Sequence, residues 1–162
     1  MRRGRFAARV LRRRKLAAIV ATATIVVAAQ FFRPSRDNPA VRGGLTTPRE
    51  IQVTLQRACY DCHSNETRWP WYSAIAPIGW LVSAHVHDAR NHLNFSEWDD
   101  YLFDPGTAAE KFKAIAQIIG KQRMPPWYYR ITHPQSRLSP LERDQLIQWS
   151  RQEATSAAAR AQ

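Results

Sequence analysis

Thr47-Pro-Arg-Glu-Ile-Gln-Val-Thr-Leu-Gln-Arg-Ala-Cys-Tyr-Asp-Cys-His63 is the stretch on which the reading of this chain turns. Ile51, Leu55, Ala58, Cys59 and Cys62 recur at three- and four-residue steps, the period of one helix face. Thr47 is placed to cap that helix, Pro48 to take its first position, and Glu50 to complete a capping box. Both cysteines then lie on the apolar face, with His63 directly after the second.

Cys59-Tyr60-Asp61-Cys62-His63 matches C-x-x-C-H, the pattern of covalent haem attachment. Two thiols on one helix face can add to the vinyl groups along one porphyrin edge. The next residue can then place its imidazole over the iron as an axial ligand. Three other chemistries use the same residues. A structural zinc site wants four N or S ligands, and the chain has only these two cysteines. A redox dithiol of the thioredoxin kind sits in a βαβ setting, whereas the periodicity here is helical. A structural disulfide suits an exported chain but leaves His63 unexplained. Attachment of one haem c through Cys59 and Cys62, with His63 on the iron, uses all three.

Working outward, the chain reads as short helices punctuated by Pro and Gly, with no alternating strand pattern. A second helix is predicted from Pro77 to His92, with Ile78, Leu81, Val82, His85 and Ala89 inward. A helical turn follows Asn94, with Glu97 three residues on. Another helix runs from Pro105 to Ile119 and stops at Gly120, burying Ala108, Phe112, Ile115 and Ile119. Residues 121–138, rich in Pro and aromatics, read as a long loop. The last helix opens on the capping box Ser139-Pro140-Leu141-Glu142, carries Leu146, Ile147 and Trp149, and is expected to fray after Ala154.

Met124 is the one methionine besides Met1, and it lies in the loop Gly120-Lys-Gln-Arg-Met-Pro-Pro-Trp127 rather than on a helical stripe. Pro125 and Pro126 would stiffen that loop and present the thioether at a fixed position. Met124 is therefore the favoured sixth ligand of the iron; His/Met ligation raises the potential and suits electron transfer. His85, on the inner stripe of the second helix, is the alternative, and an open site a further one. His133 is placed to meet backbone or a haem propionate; His87 reads as solvated, and His92 suits a helix C-terminus. Trp69, Trp71 and Trp127 flank the two motifs and are candidates to wall the porphyrin. Arg68 or Arg123 could pair with a propionate.

The net charge of +11 is unevenly placed. Residues 1–36 hold ten of the 24 Lys and Arg and none of the 13 Asp and Glu, so the rest is nearly neutral. That distribution argues against a nucleic-acid surface. Eight basic residues up to Lys15 precede an uncharged, mostly apolar run from Leu16 to Phe32. This arrangement predicts export, with the folded part on the far side of the membrane. Residues 1–32 read as a basic n-region and signal anchor, and an uncleaved membrane helix over Leu16–Phe32 is favoured over cleavage after Ala29, because the run stays apolar through Phe31 and Phe32. Residues 33–46, with turn residues and no periodicity, read as a linker.

Beyond the attachment motif, the longer stretch Cys59 to Tyr72, with Asn94-Phe-Ser-Glu-Trp98, Met124-Pro-Pro-Trp127 and His133-Pro134, resembles the small bacterial haem-binding domain family. The resemblance spans roughly Thr47 to Ser150. It implies covalent haem on Cys59 and Cys62, His63 as axial ligand, and a periplasmic or membrane-anchored location. At a coarser level the order of motifs is similar to a monohaem cytochrome c. The expected fold is thus all-α, a small cytochrome c-like helical domain over residues 47–153 around one covalent haem, with a flexible tail over 154–162. The expected function is a membrane-tethered one-electron carrier exchanging electrons with redox partner proteins in the periplasm. No acid/base pair or nucleophile demands a catalytic reading. A haem-based sensor or peroxidase-like enzyme with an open sixth position is the alternative, and an accessory subunit of a membrane complex a third.

Overall fold

The computed structural model describes residues 2–161, with side chains from residue 11 onward. No strand occurs among the described residues, as the absence of period-two patterning requires. Contacts divide the chain into two units: one runs through Arg36 and includes Pro70–Ala84; the other comprises Asp37–Trp69 and His85 onward.

In the first unit, α1 (Arg2–Ala29) stops at Ala29, so Phe31 and Phe32 lie beyond it. Its uncharged part, Leu16 to Ala29, is fourteen residues. At 1.5 Å per residue this is about 21 Å, against about 30 Å of hydrocarbon in a bilayer. Among the described residues no helix is long and apolar enough to cross a membrane. The expected N-terminal membrane helix is corrected accordingly: the run is helical but too short. Gln30 then ties the chain down, its amide donating to Ala76 O (3.2 Å) while its carbonyl accepts from Ala76 N–H (3.0 Å). Trp80 Nε1 donates to Phe32 O at 2.6 Å and Ser83 Oγ to Ser35 O at 2.7 Å. A Cβ on Gly79 would fall 2.4 Å from Ser73 O, an approach only glycine permits. Trp71, in the 3-10 turn Trp71–Ala74, stands 78% exposed, edge-on to Tyr72.

The second unit holds α2 (Arg49–Ala58), α3 (Tyr60–His63), the second half of α4 (Ile78–His92), α5 (Trp98–Leu102), α6 (Pro105–Gly120), α7 (Trp127–Thr132) and α8 (Pro140–Arg160). Packing is dominated by α6 against α8. Phe112, Ile115 and Ile119 of α6 are buried as the period predicts, with Leu146 and Trp149 of α8. Further along, Ala108 and Ala109 meet Ala157, which is fully buried. These small side chains let the helices stay close, so α8 runs on to Arg160 where fraying after Ala154 was expected. Aromatic rings form a continuous series through the core. Tyr60 stacks on Phe95 (5.3 Å), Phe95 on Trp98 (6.1 Å), Trp98 meets Phe112 (4.7 Å), and Phe112 meets Trp149 edge-on (5.4 Å). Each such pair contributes about 0.5–1.5 kcal/mol beyond its buried area.

Residues 42–45 run extended beside the turn at 95–98, with Arg42 N–H donating to Ser96 O, Leu45 N–H to Phe95 O, and Trp98 N–H to Gly43 O. Ser139 and Glu142 make the predicted reciprocal capping box, and Asn94 caps its turn by accepting from Ser96 N–H. Three details differ from expectation. Pro48, not Thr47, is the N-cap residue of α2, and Thr47 Oγ1 bonds Pro48 O instead of closing a capping box. The inward face of α4 is rotated by about a residue: Val86 is buried and Ala89 half-buried, while Ile78, Leu81 and His85 are exposed. Residues 121–138 are not one loop, since α7 and the 3-10 turn Pro134–Ser136 lie within them.

Candidate functional site

The continuous helix expected through the two cysteines is broken at Cys59 (φ −125°, ψ −36°), which separates α2 from the single turn of α3. Cys59 N–H still donates to Leu55 O (2.8 Å), and Cys59 O accepts from both Cys62 N–H (3.1 Å) and His63 N–H (2.9 Å). Cys59 and Cys62 are therefore held at the start and near the end of one turn. Both are free thiols and half-buried. Burial, reinforced by the neighbouring Cys62, pushes the Cys59 thiol up to about 12; burial and the Asp61 carboxylate push Cys62 up to about 11. A nucleophilic dithiol needs the opposite shift. Among the described residues no group of three or more His, Cys, Asp or Glu is placed to hold a metal ion.

His63 is half-buried, edge-on to Phe95 at 6.4 Å. Its Nδ1 lies 3.1 Å from Ala89 O and 3.0 Å from Leu93 O, at the C-terminal end of α4. Two carbonyls can only accept, so Nδ1 carries the proton and Nε2 keeps its lone pair. Burial lowers the imidazole's affinity for a second proton, against the opposing pull of the two carbonyls. The ring is thus a neutral imidazole of fixed tautomer and fixed tilt.

The residues after His63 are tied down by a buried polar network that the sequence reading did not single out. Ser64 Oγ donates to Tyr60 O (2.8 Å) and Arg90 Nε to Ser64 O (2.8 Å). Arg90 also donates to Thr67 Oγ1 (2.8 Å), Asn38 Oδ1 (2.9 Å) and Asp37 O (2.9 Å). Asn65 N–H donates to Ser96 Oγ (3.0 Å), Asn65 Nδ2 to Ala40 O (3.1 Å), and Asn94 Nδ2 to Asn65 Oδ1 (2.9 Å). Arg68, a candidate propionate partner, instead pairs with Asp61 through Nε–H and its backbone N–H, both at 3.2 Å. Arg57 links α2 to α8 through Glu142 and to the chain beyond α7 through the carbonyls of Gln135 and Arg137. A cleft of about 390 Å³ opens beside Tyr60 and Asp61, but neither cysteine nor His63 lines it.

Met124 lies in the turn between α6 and α7, where Gln122 takes a left-handed φ of 54° and Arg123 N–H donates to Ile118 O. Its side chain is 37% exposed, so it is no core methionine. Pro125 and Pro126 lead from it into α7. Trp127 is 68% exposed and edge-on to Tyr128 at 5.8 Å. Tyr129 hydroxyl donates to Asp61 Oδ2 at 2.7 Å, joining α7 to the attachment segment. Burial and that carboxylate hold the phenol well above its usual range. His133 stacks on Tyr129 at 4.2 Å. Arg130 Nε is buried with no hydrogen-bond partner among the described residues. Trp69 is half-buried, its indole N–H donating to Asn38 Oδ1 at 3.2 Å. His85 is exposed, its ring 5.7 Å from Tyr128; His87 and His92 are exposed, the latter bonded to Asp88 O.

Neither curated proteins nor solved structures give a match to the chain. A family model described as a haem-binding domain matches residues 24–152, which include the attachment turn, its polar network, the Met124 turn and most of α8. Matched over most of its length, the chain belongs to the haem-binding domain family and is a haem-binding protein.

Proposed function

We propose that the protein is a c-type haem protein that carries single electrons. Cys59 and Cys62 would hold the haem by thioether bonds, and His63 Nε2 and Met124 Sδ would ligate its iron. The observation that carries this reading is the His63 ring. Its Nδ1–H is committed to Ala89 O and Leu93 O, which orients Nε2 and raises its basicity, as outer partners of metal-bound histidines do. The bound haem supplies an iron that cycles between ferrous and ferric states, with its potential set by the axial ligands and their surroundings.

The remaining work falls to the chain. The network through Ser64, Asn65 and Arg90 holds the turn that bears both cysteines, so His63 need not move when charge changes. Trp69 and Trp127 are proposed as apolar walls of the cofactor. Arg130, whose Nε is buried without a partner, suits a propionate better than Arg68, which already serves Asp61. Export to the periplasmic side is proposed from the basic stretch before the apolar part of α1. The fourteen uncharged helical residues, twelve of them apolar, have the length of a signal-peptide core. Cleavage after Ala29 would leave Gln30, with its clamp on Ala76, on the mature chain. N-terminal sequencing of exported protein separates this from a retained anchor. The proposed partners are redox proteins on that side of the membrane.

The test is to produce the protein with cytochrome c maturation machinery and record a pyridine haemochrome after acid-acetone extraction. A c-type haemochrome that survives extraction, with a weak red methionine-to-iron band in the oxidised protein, is the expected result. Absence of covalent haem despite working maturation would overturn the reading. Covalent haem without the red band would discard Met124 and turn attention to His85.

A further inference from the structure

We propose that Asp61 and Tyr129 act as a positioning pair that sets the Met124 turn against the attachment segment, so that the sixth ligand is held through a hydrogen bond made by neither iron ligand. The inference rests on Met124 being that ligand. Asp61 occupies a variable position of C-x-x-C-H, yet its side chain is only 13% exposed. Both carboxylate oxygens are engaged: Oδ1 accepts from Arg68 N–H and Nε–H, each at 3.2 Å, and Oδ2 from Tyr129 hydroxyl at 2.7 Å. A carboxylate with three donors has little freedom to move.

Tyr129 is fixed in turn. Its ring stacks on His133 at 4.2 Å with planes 14° apart, and its carbonyl accepts from His133 N–H. The Tyr129–Asp61 bond therefore anchors α7, across 68 residues of sequence, to the turn that carries both cysteines. Between α7 and Met124 stand only Pro125 and Pro126. Each proline fixes its own φ and restricts the residue before it. A shift of α7 is thus carried through to Met124 instead of being absorbed on the way. Asp61 and Tyr129 act through Met124 and are positioning residues.

The experiment uses ferric holoprotein, with imidazole as the probe of the sixth position and the red methionine-to-iron band as the second readout. Tyr129→Phe keeps the ring and its stack on His133 while removing the hydroxyl; Tyr128→Phe is the control on the same helix, and Met124→Ala the reference. Tyr129→Phe is expected to retain covalent haem and far-UV circular dichroism, to bind imidazole roughly tenfold more tightly than wild type, and to lose the red band at lower temperature. Tyr128→Phe is expected to match wild type. Asp61→Asn, which keeps an acceptor oxygen without the charge, is expected to fall between wild type and Tyr129→Phe. Wild-type imidazole affinity and band persistence in Tyr129→Phe, with the band absent only in Met124→Ala, would overturn the pair and leave Met124 as the ligand. If wild type lacks the band and binds imidazole as Met124→Ala does, the Met124 reading fails and the pair fails with it.

Discussion

The attachment segment, residues 59–68, and the Met124 segment, residues 121–133, are built on opposite plans. In the first, Ser64, Asn65 and Thr67 are buried polar residues with hydrogen bonds reaching Asn38, Ala40, Arg90, Asn94 and Ser96. In the second, Met124, Trp127 and Ile131 are exposed apolar side chains, and a tie to the attachment turn is Tyr129 to Asp61. One side is rigid without help, because a buried polar group left unpaired costs about 1–3 kcal/mol and each here has a partner. The other presents apolar surface that a large flat ligand would cover.

The attachment segment is tested most directly at its cysteines. Replacing both Cys59 and Cys62 with Ala is expected to abolish haem that resists acid-acetone extraction, measured by haemochrome yield. Phe95→Ala removes the ring between Tyr60 and Trp98 and should cost about 3–5 kcal/mol in urea unfolding; a cost below 1 kcal/mol would mean the attachment turn does not lean on the core. Asn65→Ala removes the acceptor of Asn94 Nδ2 and the donor to Ala40 O and is expected to cost about 2–3 kcal/mol by the same assay. A weaker term is pH-dependent. Burial works to raise the Glu142 carboxyl, but hydrogen bonds from Ser139 and the Arg57 charge outweigh it and hold the group below its usual range. A depressed carboxyl contributes stability above its unfolded pKa and loses it as pH falls through the folded value. Wild type should thus lose stability between neutral and strongly acidic pH, and Glu142→Gln should lose less of it. Smallest is Trp127→Ala, within about 0.5 kcal/mol for the haem-free protein; a larger loss in the holoprotein would put the ring on the cofactor.

Much of the helical order was legible because its signals are local. Ser139 and Glu142, the turn that follows Asn94, and the three- and four-residue spacing of Ala108, Phe112, Ile115 and Ile119 all act within one or two turns. What the sequence hid depends on distant partners. Ala157 reads as a weak tail residue until Ala108 and Ala109 are brought against it. Trp127–Thr132 contains aromatic and β-branched residues of modest helix propensity after two prolines, yet Tyr128 and Tyr129 find His85, Asp61 and His133. Of the site, C-x-x-C-H could be read directly. The acceptors of His63 could not, being backbone carbonyls whose use no side-chain pattern announces. Asp61 and Arg90 carry no local signal either, since the groups that engage them, Tyr129 hydroxyl and Ser64 O, lie 68 and 26 residues away.

The two carbonyls that steady His63 lie 26 and 30 residues downstream of it. As the chain emerges, the two thiols and the imidazole are therefore synthesised well before the end of α4 can meet them. Bringing that helix end back requires closing a loop, an entropic step that grows slowly with length. Until it closes, the histidine is free to turn either nitrogen outward. Order of events thus becomes part of the site: the cysteines come first, and the tautomer is chosen later, when the second helix end arrives.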